Sequence, residues 1–156
     1  MNTDEYLYFV DRAFDGMLSA LRELGDKLAN EAPGLEGANP PWAIAYHCTE
    51  VDVYWMGHLI GGRPSNRDRA AEFTARGTIE GLARKVSELR RKLQQDLSGL
   101  RPDTPLANIP PPAYEGPSRA PTATGVLLHV LEELAQHHGQ VQLSRDVLLQ
   151  NLKGTT

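Results

Sequence analysis

The chain has 156 residues, of which 40% are hydrophobic, and this length suits one domain with its own core, so we expect a single domain over residues 1–156. A formal net charge of −4 argues against a nucleic-acid-binding surface, and no apolar run approaches the roughly 20 residues of a membrane-spanning helix. The single cysteine, Cys48, excludes an internal disulfide, and the acidic amino terminus lacks the pattern of a signal peptide, so we expect a cytoplasmic protein.

Two helices are predicted in the first part of the chain. The first begins at the N-cap Thr3 and fades near Asn30. Its apolar side chains recur every three or four residues, as on one face of a helix: Leu7, Val10, Phe14, Met17, Leu21 and Leu24. The second helix begins after the N-cap Asn39 and ends at Gly61-Gly62. One stripe of this helix combines apolar side chains with histidines: Ile44, His47, Val51, Tyr54 and His58.

Two further helices are predicted beyond a long polar connection. Residues 63–77 are polar, and Thr78 then caps a third helix with its own apolar stripe of Leu82, Val86, Leu89, Leu93 and Leu97. Residues 102–121 contain too many prolines to be helical. The fourth helix begins near Thr122–Thr124 and continues to about Leu152.

Four amphipathic helices in one small domain predict an all-α protein, a four-helix bundle. Antiparallel neighbours in a bundle need connections of only about 2–8 residues, whereas the connections between helices 2 and 3 and between helices 3 and 4 are much longer. A long connection can return the chain along the bundle. We therefore expect the second and third helices to run parallel, rather than a simple up-and-down bundle.

All five histidines fall in two segments, and the second segment has the pattern of a metal site. His129, Glu133 and His137 recur every four residues, which places their side chains above one another on a helix. An imidazole and a carboxylate at that spacing can bind one metal ion, and His47 can complete the coordination from the inward face of the second helix. A simple Glu–His pair on the helix surface is the alternative interpretation.

The remaining histidines and the cysteine are assigned other roles. Three roles stay open for His129: a fourth ligand, a hydrogen-bond partner of the adjacent carboxylate, or a polar residue at the mouth of the site. His58 lies about 16 Å from His47 by helix rise, so we expect it to pack or to face solvent. His138 is turned about 100° from the ligand beside it and is expected to be exposed or at an interface. Cys48 is predicted to be a small packing residue, with a redox-sensitive thiol as the alternative.

Two imidazoles and one carboxylate suit zinc, nickel, iron or manganese, and they leave coordination positions for water or substrate. A metal in such a site lowers the pKa of a bound thiol or water and so generates a nucleophile at neutral pH. The sequence contains no Gly-rich phosphate loop, no G-x-S-x-G elbow and no CxxC motif. Any enzymatic activity is therefore predicted to depend on the metal.

Four stretches of the chain are similar to a known family: residues 41–50 with Tyr54-Trp55 following, residues 67–73, residues 77–82 and residues 127–139. They resemble the DinB/YfiT-like superfamily, and within it the branch related to mycothiol-dependent maleylpyruvate isomerase and other thiol S-transferases. The last stretch is the most specific, because it keeps Glu133-x-x-x-His137, the form of that branch, where many family members have His-x-x-x-His. This chain has Gly139-Gln140 where the branch often has Gly-His.

The resemblance implies a DinB-type bundle in which His47, Glu133 and His137 bind a divalent metal, with zinc expected first. It also implies transfer of a low-molecular-weight thiol, such as mycothiol or bacillithiol, to an electrophilic small molecule, and it favours a homodimer. Metal-dependent hydrolysis is one alternative. Another is a non-catalytic metal- or ligand-binding stress protein, in which the proline-rich residues 108–121, including Tyr114, contact a partner.

Overall fold

The structure, a computed structural model, describes residues 2–101, 104–111 and 120–154. Within these residues all regular secondary structure is helical, and four long helices confirm the predicted all-α bundle. The elements are α1 (Thr3–Ala29), α2 (Pro41–Asp52), a π-helix (Val53–Ile60) that continues α2, α3 (Arg69–Glu72), α4 (Ile79–Asp96) and α5 (Ala123–Lys153). The short α3 lies inside the predicted polar connection. None of the described helices is long and apolar enough to cross a membrane.

Two of the three predicted helix caps are wrong, and one is confirmed. Asn2, rather than Thr3, caps α1, because the Asn2 side chain accepts a hydrogen bond from a backbone N–H of the first turn. Asn39 does not cap α2, because Pro40 lies between Asn39 and the first helical residue, Pro41, and takes the cap position. Thr78 caps α4 as predicted, and Thr122 caps α5; each accepts a hydrogen bond from a backbone N–H with its hydroxyl oxygen.

Contacts at both ends show that α2 and α4 run parallel. Where the two helices begin, the Trp42 indole N–H donates to the carbonyl oxygen of Thr78 at 3.1 Å. Where they end, Arg63 lies just beyond the π-helix and pairs with Asp96 at 2.7 Å. The parallel arrangement expected from the long connection is therefore confirmed.

The helix α4 runs antiparallel to α1. Near the end of α1, the Asp26 carboxylate accepts a hydrogen bond from the backbone N–H of Ile79 at 2.8 Å, at the start of α4. Near the start of α1, Asp11 pairs with Arg90 at 2.7 Å, in the second half of α4. Because α2 is parallel to α4, both of these helices run antiparallel to α1.

The helix α5 runs parallel to α1 and packs closely against it. A Cβ atom added at Gly16 would lie 2.0 Å from Nε2 of His138, so the glycine makes room for the imidazole. Further along, Arg145 pairs with Glu23 at 3.1 Å. From the first contact to the second, the chain moves forward by the same number of residues on α1 as on α5, so these two helices are parallel. The bundle therefore has an up-down-down-up order for α1, α2, α4 and α5. His138, expected to be exposed or at an interface, lies in this helix–helix contact.

The α2 helix is more buried than its single predicted stripe suggests. Ten of its side chains are buried, including Asp52, because α2 packs against α1, α3, α4 and α5. The π-helix that follows has i→i+5 hydrogen bonding, which changes the register of its side chains relative to α2. In this register Trp55 is buried and packs edge-to-face on His129 of α5, with ring centroids 4.6 Å apart.

Candidate metal centre

Three ligand atoms from α2 and α5 converge in the bundle. Nε2 of His47 lies 3.8 Å from Oε2 of Glu133, and Nε2 of His137 lies 3.5 Å from the same oxygen. All three atoms lie within 4.8 Å of one another. Two atoms that each bind a tetrahedral zinc at 2.0–2.1 Å are about 3.4 Å apart, so the group fits one ion after a small adjustment. The structure thus brings together the three residues that the sequence singled out.

The helices place the ligands at the edge of the core. Glu133 and His137 are one turn apart on α5, and α2 crosses them so that the rings of His47 and His137 lie 4.9 Å apart at 84°. The His47 side chain is 3% exposed, whereas those of Glu133 and His137 are 29% and 20% exposed. Solvent therefore reaches two ligands while the third is buried. An ion held here would have one side facing small molecules from solution.

A buried carboxylate that was not predicted, Glu72 of α3, orients His47. Its Oε2 lies 2.6 Å from Nδ1 of His47. Arg67 donates to the same carboxylate from Nε at 2.6 Å and from Nη2 at 2.9 Å. When Nδ1 of His47 carries the proton and donates it to Glu72, Nε2 keeps its lone pair toward Glu133. This is the arrangement that a histidine ligand needs.

The electrostatics of the centre keep both carboxylates ionised. Burial raises the pKa of Glu72, but hydrogen bonds from His47 and Arg67 outweigh burial and lower this pKa below its usual value. The imidazoles of His137 and His47, whose Nε2 atoms lie 3.5 and 3.8 Å from Oε2, hold the pKa of Glu133 well below its usual range. Burial lowers the pKa of His47, yet the nearby carboxylates of Glu133 and Glu72 leave that pKa raised. A pair of carboxylates around one imidazole favours a cation at this place.

His137 also has a partner for its second nitrogen. Its Nδ1 lies 2.9 Å from Oε1 of Gln140, three residues further along α5. Nδ1–H can donate to this amide oxygen, which leaves Nε2 as the ligand atom. Gln140 thus supports His137 from an exposed position on the helix.

His129 is not part of the group of converging ligand atoms found among the described residues. It packs on Trp55 and lines a cavity on the same side of α5 as Glu133. Of the three roles left open for His129, the polar residue at the mouth of the site agrees with this position.

His58 of the π-helix and Cys48 of α2 pack as predicted. Nδ1 of His58 lies 2.6 Å from the backbone carbonyl oxygen of Arg63, at the end of the π-helix. Cys48 is fully buried, and burial raises the pKa of its thiol well above the usual value, which agrees with a packing role. Tyr114, a candidate for partner binding, lies outside the described residues.

Comparison with known proteins agrees with the fold. The sequence profile of the DinB superfamily matches residues 10–141, a span that contains His47, Glu133 and His137. No curated protein and no solved structure shows significant similarity to the chain. The profile covers most of the four-helix bundle. The chain therefore belongs to the DinB superfamily.

Proposed function

We propose that this protein is a metal-dependent enzyme that transfers a low-molecular-weight thiol, of the mycothiol or bacillithiol type, to an electrophilic small molecule. The observation that carries the proposal is the convergence of His47, Glu133 and His137 on one point that is open to solvent on one side. Three nitrogen and oxygen ligands with a free position are typical of catalytic zinc, so zinc is the proposed metal. A bound zinc ion would stabilise the thiolate form of the thiol at neutral pH.

The residues of the chain hold the reactants and need not exchange protons with them. Glu72 and Gln140 fix the two imidazole rings, so that both Nε2 atoms face Glu133 before any ligand arrives. The thiol loses its proton to solvent. The sulfur lone pair then attacks the electrophilic carbon, a carbon–sulfur bond forms, and the bond to the leaving group breaks with its electron pair departing on that group. Transfer of this kind requires positioning and a thiolate, which the centre is suited to supply.

The preference for thiol transfer over hydrolysis is supported by the resemblance of Glu133-x-x-x-His137 to the thiol-dependent branch. A homodimer is also proposed. Exposed aromatic side chains near the start of α1, Tyr8 and Phe9, support it. Light scattering should give twice the mass of the chain, and a monomeric mass would contradict the dimer.

The proposed activity is tested by incubating the zinc-loaded protein with a chlorodinitrobenzene and one thiol at a time. We expect the thioether and chloride to form faster than without protein, only with zinc present, and with mycothiol or bacillithiol preferred over glutathione. The variant Glu133→Gln should lose the activity. The variant Glu50→Gln should keep it, because Glu50 pairs with Lys85 at 2.7 Å rather than with the metal centre.

Two outcomes would contradict the proposal. Equal turnover without thiol, giving the hydrolysed product, would favour metal-dependent hydrolysis. A folded protein that binds no zinc would favour a non-catalytic role.

A further inference from the structure

A cavity of about 200 Å³ lies beside the metal centre, between the π-helix and the first half of α5. Its walls include Trp55, Pro121, Val126, Leu128, His129 and Glu132. We propose that this cavity binds an uncharged, single-ring aromatic group. We assign this ring to the electrophilic substrate, an assignment that rests on the proposed function.

The volume of the cavity suits a ligand with a single ring. An engineered apolar cavity of about 150 Å³ holds a benzene molecule. The observed volume of about 200 Å³ therefore accommodates a benzene ring with a small substituent. Drug-sized ligands occupy larger pockets, of about 300 Å³ and more.

The lining suits an aromatic ring that carries no charge. The indole of Trp55, held edge-to-face against His129, offers an aromatic surface, and the buried Val126 adds an apolar one. The polar groups of the lining are the His129 imidazole and the Glu132 carboxylate. A carboxylate at this position repels an anionic ligand and accepts a hydrogen bond from a hydroxyl or amine substituent. A phenol-like ring fits this chemistry, whereas a benzoate does not.

The cavity is close enough to the metal centre to hold one end of a substrate. His129 lies one helical turn before Glu133 on α5, which corresponds to about 6 Å along the helix. A ring bound in the cavity against His129 and Trp55 needs only a short side chain to reach the ligand atoms. Leu128 is 54% exposed, so the cavity opens to solvent at this residue.

The test is a titration of the protein with phenol, cyclohexanol and benzoate, followed by the NMR signals of the two indole N–H groups. We expect phenol to shift the signal of Trp55 saturably and to leave that of Trp42 unmoved, because the Trp42 indole bonds the Thr78 carbonyl at the other end of α2. Phenol should bind more tightly than cyclohexanol, and benzoate about tenfold more weakly than phenol. The variant Glu132→Gln should strengthen benzoate binding and change phenol binding little.

Two exposed leucines of α5 provide a matched pair of variants. Leu128→Glu places a charge at the cavity and should weaken phenol binding about tenfold. Leu143→Glu makes the same change at a residue that does not line the cavity, and it should leave phenol binding unchanged. Thermal unfolding of both variants establishes that they are folded. A Trp55 signal that does not respond to millimolar phenol, or equal phenol affinity in the two variants, would overturn the proposal.

The titration is run on metal-free and on zinc-loaded protein, which separates this proposal from the proposed function. Phenol binding by a protein that takes up no zinc would support the cavity and contradict the metal-dependent activity. Zinc binding without phenol binding would overturn the cavity alone.

Discussion

Replacing Glu72 is expected to weaken metal binding through His47, although Glu72 itself is not a ligand. The carboxylate of Glu72 lies 2.6 Å from Nδ1 of His47, and Arg67 holds it at 2.6 and 2.9 Å. Glutamine keeps a carbonyl oxygen for the imidazole but loses the negative charge, whereas alanine removes the contact. Partners that orient a histidine ligand are typically worth 10–100-fold in metal affinity, so we expect about tenfold for Glu72→Gln and about 100-fold for Glu72→Ala.

The assay is a competitive zinc titration against a chelator, with unfolding measured in parallel. Loss of a buried carboxylate partner costs about 3–5 kcal/mol, and the Arg67 side chain is only 4% exposed, so Glu72→Ala is also expected to be less stable. Glu50→Gln serves as the control, because it removes a carboxylate that pairs with Lys85. Wild-type zinc affinity in a folded Glu72→Ala protein would refute the view that Glu72 orients His47.

Three further predictions concern other contacts. Gln140→Ala should weaken zinc binding by at most about tenfold in the same titration, because Gln140 is exposed and uncharged; a loss as large as that of a ligand would contradict its supporting role. Asp52 is fully buried, and neither of its carboxyl oxygens has a hydrogen-bond partner within the described part of the chain. Burial, with a smaller contribution from Asp11, raises its pKa well above the usual value, so the folded protein keeps the proton after the unfolded chain has lost it. The free energy of unfolding should therefore fall by up to about 1.4 kcal/mol per pH unit from about pH 4 up to the raised pKa. Denaturant unfolding should show that Asp52→Asn removes this dependence and is more stable than wild type at pH 7; equal stability there would contradict the reasoning. Gly16→Ala should lower the free energy of unfolding by about 1–3 kcal/mol, because its Cβ would meet the His138 ring, and His138→Ala should recover part of the loss in thermal unfolding; additive effects would show that the two residues do not interact.

The helices and their directions were predictable from the sequence where the pattern was strong. The regular apolar spacing predicted α1 and α4, and the length of the polar connection at 63–77 predicted that α2 and α4 run parallel. The π-helix was not predictable, because residues 53–60 are apolar almost throughout and do not define a helical register. The cap of α1 was misplaced by one residue, since Asn2 and Thr3 are adjacent and both are good capping residues.

The ligands of the candidate site were easier to find than the residues that support them. Glu133 and His137 are four residues apart, so helical spacing predicts that they are neighbours, and His47 lies on an inward-facing stripe. Gln140 is three residues after His137, so the same helical spacing would have identified it. Glu72 gave no such signal, because it lies in a segment that is polar in sequence, and only the fold buries it against His47.

The central claim is that His47, Glu133 and His137 bind one metal ion. Zinc content and affinity, measured on the purified wild type and on His47→Ala and His137→Ala, test it most directly, with His58→Ala as the control for loss of an imidazole. We expect one zinc ion per chain in the wild type and in His58→Ala, and an affinity at least about 100-fold lower in the two ligand variants. Zinc bound with wild-type stoichiometry and affinity by folded His47→Ala and His137→Ala proteins would contradict the claim.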